Sequence, residues 1–173
     1  MAEPGAPPPP RTHMALRVEI DGVPWLADVG FGSSVPPAPL RLDVSEEQPT
    51  PHETFRFIPF GHGLLLQARV RGQWQPLYDL SPEPVLDSHY ELFNWFTSTH
   101  PTSSFRQSLI AARTTPDARY SLLDNRLTIR WAEGSIERRY LGAEDIALSL
   151  EDAFGLEVQD DWRPLFRRAA VIG

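Results

Sequence analysis

The sequence contains no cysteine and no lysine. Without cysteine this chain can hold no disulfide, no thiolate-ligated zinc and no cysteine nucleophile. All 16 basic residues are Arg, and 23 acidic residues outnumber them to give a formal net charge of −7. A nucleic-acid binder needs a basic surface to meet phosphates, so no nucleic-acid partner is expected. The chain also lacks any apolar run approaching the roughly 20 residues that span a bilayer, and it lacks a basic-then-apolar leader. No membrane partner is therefore expected, and the expected location is cytoplasmic. His52, His62, His89 and His100 fall in neither an H-x-x-x-H nor an H-E-x-x-H pattern, so no metal is expected.

What is present is the composition of a globular protein: 173 residues, 41% hydrophobic and 23% charged. The opening MAEPGAPPPP cannot supply a core and reads as a linker or loop. Residues 14–20 (MALRVEI) alternate with the period of a strand. Asp21-Gly22 follows as a two-residue hairpin turn, and residues 23–29 (VPWLADV) return. Such a turn pairs Met14, Leu16, Val18 and Ile20 with Val29, Ala27, Trp25 and Val23, which puts eight apolar residues on one face. Pro24 must then stand where no ladder donor is needed.

Further strands are expected over 54–59, 64–70, 74–79, 105–113, 119–123, 126–132 and 136–141. Helices are expected over 88–97, capped by Asp87 and closed at His100-Pro101, and over 143–154, stopped by Gly155. Phe93, Trp95 and Phe96 are expected to pack a core. The fold class is strand-rich α+β with two helices.

Three segments hold residues capable of chemistry. Asp28 interrupts an apolar strand, and a carboxylate there is costly without a partner. The register sets Asp28 opposite Ala15, two residues from His13 and on the same face. The diagonal separation of about 7–8 Å lies within reach of the two side chains. A carboxylate that orients an imidazole is a recurring catalytic unit. The competing reading is an Asp that caps the Gly30–Phe31–Gly32 loop beside an unrelated surface His. The DVGFGSS segment over 28–34 can turn backbone N–H groups toward an anion, or simply end a strand. The hydroxyls of STHPTSSF over 98–105 can bind phosphate or pantetheine, or only cap and turn.

In this order, RTHMALRVEIDGVPWLADVGFGSSVPPAPLRL, WQPLYDLSPEP and YELFNWFTSTHPTSSF resemble the arylamine N-acetyltransferase family. The resemblance runs from about Pro10 to about residue 158. It implies an antiparallel β-barrel-like domain followed by a small α/β lid. The expected division is a Pro-rich start over 1–11, the barrel-like domain over 12–90 and the lid over 91–173.

The activity implied is acetyl transfer from acetyl-CoA, as donor substrate, to an arylamine or arylhydrazine. It proceeds through an acetyl-cysteine on a Cys-His-Asp triad. His13 and Asp28 match the triad's His and Asp. Phe31 matches an aromatic of the acceptor pocket, and Gly32 a glycine that lets coenzyme A approach. Thr102 and Phe105 match positions that contact coenzyme A. The family's nucleophile stands in an R-G-G-x-C motif on a helical domain upstream of the His, and this chain holds no Cys.

The expectation is thus an incomplete triad, inactive in this chain alone, with the His13–Asp28 face open to water. An alternative is a non-catalytic module that binds coenzyme A or a protein partner. Surface meant for the helical domain should be exposed and favour self-association.

Overall fold

The computed structural model describes residues 13–172. The Pro-rich start over 1–11 lies outside the described residues. Strands β1 (Leu16–Ile20) and β2 (Val23–Ala27) form the first hairpin. Asp21 and Gly22 both take positive φ, 51° and 75°, the geometry that matches a two-residue turn to the twist of its strands.

The register is the expected one: Leu16 faces Ala27, Val18 faces Trp25 and Ile20 faces Val23. The pair flanking such a turn exchanges both hydrogen bonds, so Glu19–Pro24 is a non-bonded pair. The missing Pro24 donor therefore costs this ladder nothing, and its carbonyl accepts the Leu42 N–H at 2.9 Å. Strand β3 (Leu40–Arg41) pairs with the other side of β2.

The shared apolar face of this hairpin points outward. Leu16 and Ile20 are 53% and 55% exposed. The buried residue is Leu26, on the opposite face, where it pairs with Leu40 and packs with Phe55, Phe57, Leu66 and Ala68.

A second sheet runs in the order β4 (Gln48–Pro49), β5 (Thr54–Phe60), β6 (Gly63–Val70) and β7 (Gln73–Leu80). Alternate residues of β5 and β6 supply that same core, as the period of a half-buried strand requires. Between β6 and β7 the register slips: Gln67 faces Pro76, but Leu66 faces Tyr78. Leu77 is the extra residue of a β-bulge. Pro76 has no donor for a continuous ladder, and β7 is an edge strand, where proline is tolerated.

Helices α1 (Asp87–Thr99) and α2 (Ser104–Gln107) lead into a third sheet. It comprises β8 (Ile110–Thr114), β9 (Ala118–Leu123), β10 (Arg126–Trp131) and β11 (Ile136–Tyr140), in the order β11-β10-β9-β8. Helix α3 (Ala143–Asp152) lays Ile146 and Leu150 on this sheet, and Phe154 continues the four-residue spacing. Helix α4 (Arg163–Ala169) adds Phe166 and Ala169 to the same core.

The strand-rich α+β class holds, but the barrel-like domain and the α/β lid do not. A barrel requires its terminal strands to pair so that no edge remains. Among the described residues, three separate antiparallel sheets form and none closes on itself. The two-residue strands β3 and β4 and the donor-less Pro36, Pro37 and Pro39 carry no ladder between the first two sheets. The C-terminal sheet is antiparallel with helices packed on it, not an alternating α/β unit.

Other expectations change too. Asp87 is not the N-cap of α1; Leu86 is, and its carbonyl accepts the His89 N–H. The segment 105–113 is not one strand, because the turn that follows Pro101 winds into α2 before β8 begins. The aromatic residues of α1 build no core: Trp95 is 54% exposed and no residue of the helix is buried. Among the described residues, no helix is long and apolar enough to cross a membrane.

Candidate active site

His13 precedes β1 and Asp28 follows β2, so the hairpin carries both to one end. His13 Nε2 and Asp28 Oδ2 are 2.9 Å apart. The carboxylate is closed to solvent and the imidazole keeps 21% of its exposure. The open face expected from the sequence is thus closed over the acid and open only at the base. Asp28 Oδ1 also accepts the Gly30 N–H at 2.9 Å. The capping half of the competing reading is present, but its unrelated surface His is not: one oxygen caps the glycine loop while the other holds the ring.

The sequence reading missed Tyr78. Its hydroxyl donates to Asp28 Oδ2 at 2.5 Å. The bulge at Leu77 aligns Tyr78 with the buried Leu66, which turns the ring inward. The signal was Pro76, since a proline inside a strand marks a bulge or an edge. His13, Phe31 and Tyr78 then close a three-ring cluster. Centroids lie 4.9 Å apart for His13–Phe31, 4.9 Å for His13–Tyr78 and 4.6 Å for Phe31–Tyr78.

Burial pushes the Asp28 carboxyl up, but hydrogen bonds from His13, Tyr78 and Gly30 and the nearby imidazole outweigh it and hold it below its usual value. Tyr78 moves the other way, raised first by burial and then by its bond to the Asp28 carboxylate. An ionised Asp28 only accepts, and its Oδ2 faces Nε2, so Nε2 carries the proton. The neutral ring then has its lone pair on Nδ1. Among the described residues, Nδ1 takes part in no hydrogen bond. The arrangement presents an oriented base.

A cavity of about 680 Å³ adjoins this base. His13, Phe31 and Tyr78 line one side, and Tyr90, Phe93 and Thr97 of α1 line the other. Of the remaining candidates, Gly32 opens a one-turn 3-10 helix over Gly32–Ser34 with φ of 59°. Thr102 and Phe105 stand at the α1–α2 corner, outside the lining of the cavity. Thr102 Oγ1 meets His100 Nδ1 at 2.9 Å, and Phe105 is 60% exposed. The structure therefore gathers His13, Asp28 and Phe31, while Gly32, Thr102 and Phe105 are not among the residues that line the cavity. Among the described residues, no cluster of His, Asp or Glu has a metal-ligating arrangement.

A family model described as N-acetyltransferase matches residues 1–163. The chain belongs to the N-acetyltransferase family. It is 39% identical over 159 residues to an arylamine N-acetyltransferase of Mycobacterium tuberculosis, a match covering 91% of this chain and 56% of the relative. An Escherichia coli arylamine N-acetyltransferase is 34% identical over 154 residues, covering 88% and 55%.

The Mycobacterium marinum arylamine N-acetyltransferase solved in complex with CoA superposes with a TM-score of 0.87 at 40% identity. That match covers 96% of this chain and 63% of the other. The chain thus spans little more than half the length of the curated N-acetyltransferases it matches.

Proposed function

We propose that this chain supplies the base and its orienting acid to an arylamine N-acetyltransferase site, and does not turn over alone. The observation that carries the reading is the 2.9 Å contact between His13 Nε2 and Asp28, in a ring that lines the cavity and whose Nδ1 has no hydrogen-bond partner among the described residues. Acetyl transfer from acetyl-CoA to an aromatic amine or hydrazine proceeds through a thioester in this scheme. A thiolate attacks the acetyl carbon, the C–S bond to coenzyme A breaks, and coenzyme A leaves. The amine then attacks, its proton passes to the base, and the thiol is regenerated. His13 takes the thiol proton in the first half, and Asp28 stabilises the imidazolium.

This sequence has no Cys, so the nucleophile must come from outside this chain. Members of such a triad act as a unit, and the base without its thiol retains at most the small effect of positioning. The separate apolar cores of 15–80 and 109–170 support two units, proposed as 12–90, which carries the pair, and 91–173, although α1 (Asp87–Thr99) runs across that boundary. Phe31 in the cavity wall is proposed to contact the acceptor ring. Gly32, Thr102 and Phe105 are proposed to contact coenzyme A.

The test joins this chain to the segment of the Mycobacterium tuberculosis relative that carries the catalytic thiol. The chimera should acetylate an arylhydrazine, and His13→Ala or Asp28→Asn should abolish it. The isolated chain should show only the background rate. A chimera equally active with and without His13 sinks the proposal.

The missing thiol favours a second reading, in which the chain binds coenzyme A or a protein partner without catalysis. Calorimetry on the isolated chain separates the two. Coenzyme A binding together with an inactive chimera would support the second reading.

A further inference from the structure

Arg119 and Arg130 face each other directly across β9 and β10. Like charges so opposed weaken a sheet, so the pairing needs a reason outside the sheet. Both side chains reach one segment of the N-terminal half. Arg119 Nη1 donates to the Val35 carbonyl at 2.8 Å and to Thr114 Oγ1 at 3.2 Å, and its Nη2 donates to Glu53 Oε2 at 2.6 Å. Arg130 Nη1 donates to Ser33 Oγ at 3.4 Å. Arg119 is buried, where hydrogen bonds gain strength from the low dielectric. The Arg130 bond is long and exposed and is the weaker tether.

The segment they hold carries the ring that touches the base. The Val35 N–H donates to the Gly32 carbonyl and closes the turn over Gly32–Ser34. Phe31 stands immediately before that turn. Pro36 follows Val35 and restricts it to extended backbone, seen at ψ of 136°. The turn and the proline together aim the Val35 carbonyl at Arg119. At the other end, the Gly30 N–H donates to Asp28 Oδ1. Between these two anchors the segment lies on the imidazole. A Cβ added at Gly30 would stand 3.6 Å from His13 Cε1, and the Phe31 ring meets the His13 ring edge-on at 4.9 Å between centroids.

We propose that Arg119 is a positioning residue, which acts from the C-terminal sheet through Val35 to hold Phe31 against His13. The consequence for turnover rests on the acetyl-transfer reading, in which Phe31 contacts the acceptor ring. Arg119 then governs how well the acceptor binds. It does not govern proton transfer, because Asp28 keeps its bonds to His13 and Tyr78 when Arg119 is lost.

Proton NMR on the full chain reads the position directly, through Overhauser contacts between the Phe31 and His13 rings. Arg119→Met with Glu53→Met removes both charges of the buried pair and should leave a folded chain, with no donor for the Val35 carbonyl. This variant should lose the Phe31–His13 contacts and keep those between Tyr78 and His13. Arg119→Lys keeps a cation beside Glu53 but lacks the planar fork that meets the carboxylate and the carbonyl together, and it should show the same loss. Glu53→Gln leaves Arg119 on Val35 and should keep both sets of contacts. In the chimera with the thiol-bearing segment, the double variant should raise KM for an arylhydrazine about threefold to tenfold, the scale of one aromatic contact, with kcat nearly unchanged.

Phe31–His13 contacts of wild-type strength in the double variant or in Arg119→Lys overturn the proposal. So does their loss in Glu53→Gln, which would make the ion pair and not the Val35 bond responsible. A fall in kcat at constant KM would also overturn it, by placing Arg119 upon the base. A chimera that is inactive with Arg119 in place overturns the acetyl-transfer reading alone, and the NMR contacts still decide the positioning.

Discussion

Tyr78 Oη and His13 Nε2 converge on the same oxygen, Oδ2 of Asp28, at 2.5 Å and 2.9 Å. One carboxylate oxygen therefore fixes two rings, and the rings touch each other as well. A Tyr78→Phe substitution keeps the ring contacts and removes only the donor. It should cost about 1.5–3 kcal/mol, the range for a hydrogen bond to a charged group. Urea denaturation measures it, and a cost near zero would show that the hydroxyl is not holding the acid. In an active chimera the variant should lower kcat more than it raises KM, since the hydroxyl acts on the base through Asp28 rather than on substrate.

The acid itself should show in the pH dependence of stability. Asp28 titrates below its ordinary value of 3.8 in the folded chain. A depressed carboxyl stabilises the fold above its unfolded value and loses that contribution as pH falls through its folded value. The wild type should therefore be more stable than Asp28→Asn at pH 6. The gap should hold down to about pH 4 and then close as the solution becomes more acidic. Paired denaturation curves between pH 6 and pH 2 test this. A gap of constant size across that range would mean that the fold does not lower the pKa of Asp28.

Much of this site could be read from the sequence because the geometry is local. Asp21-Gly22 sets the register, and the register sets His13 beside Asp28. Tyr78 could not be read in the same way. Its approach depends on two long-range facts, the packing of β2 against the second sheet and a one-residue bulge that reverses the faces of β7. The outward turn of Leu16, Val18 and Ile20 was hidden for a related reason. Alternation says which residues share a face, but only packing against Leu40, Phe55 and Leu66 decides which face is buried. The barrel expectation failed because closure depends on pairing between strands distant in sequence, about which alternation is silent.

Arg119 links the two halves of the chain and is the largest fully buried side chain. It donates to Glu53 Oε2 at 2.6 Å and to the Val35 carbonyl at 2.8 Å, while its Nε has no partner among the described residues. Arg119→Ala leaves Glu53 unpaired and should cost about 3–5 kcal/mol. The doubly apolar variant Arg119→Met with Glu53→Met should recover most of that loss. Urea titration of the three proteins checks both statements. Hydrogen exchange should also speed up at Val35 in either variant, because the carbonyl anchor of that loop is gone. Equal stability of Arg119→Ala and the wild type would refute the role.

Gly32 offers a way to separate ligand contact from stability. Its φ of 59° disfavours any side chain, yet an added Cβ would meet nothing within 4 Å. Gly32→Ala should therefore fold, at a backbone cost of about 1–2 kcal/mol. Gly22, with φ of 75° and equally open space, pays the same kind of cost in the distant hairpin turn. Both alanine variants should lower the urea midpoint by similar amounts. Only Gly32→Ala should weaken coenzyme A binding in calorimetry, because the methyl group occupies the space through which the ligand would approach the backbone. If both variants bind coenzyme A like the wild type, coenzyme A does not approach at Gly32. If both weaken it equally, the loss reflects stability rather than contact.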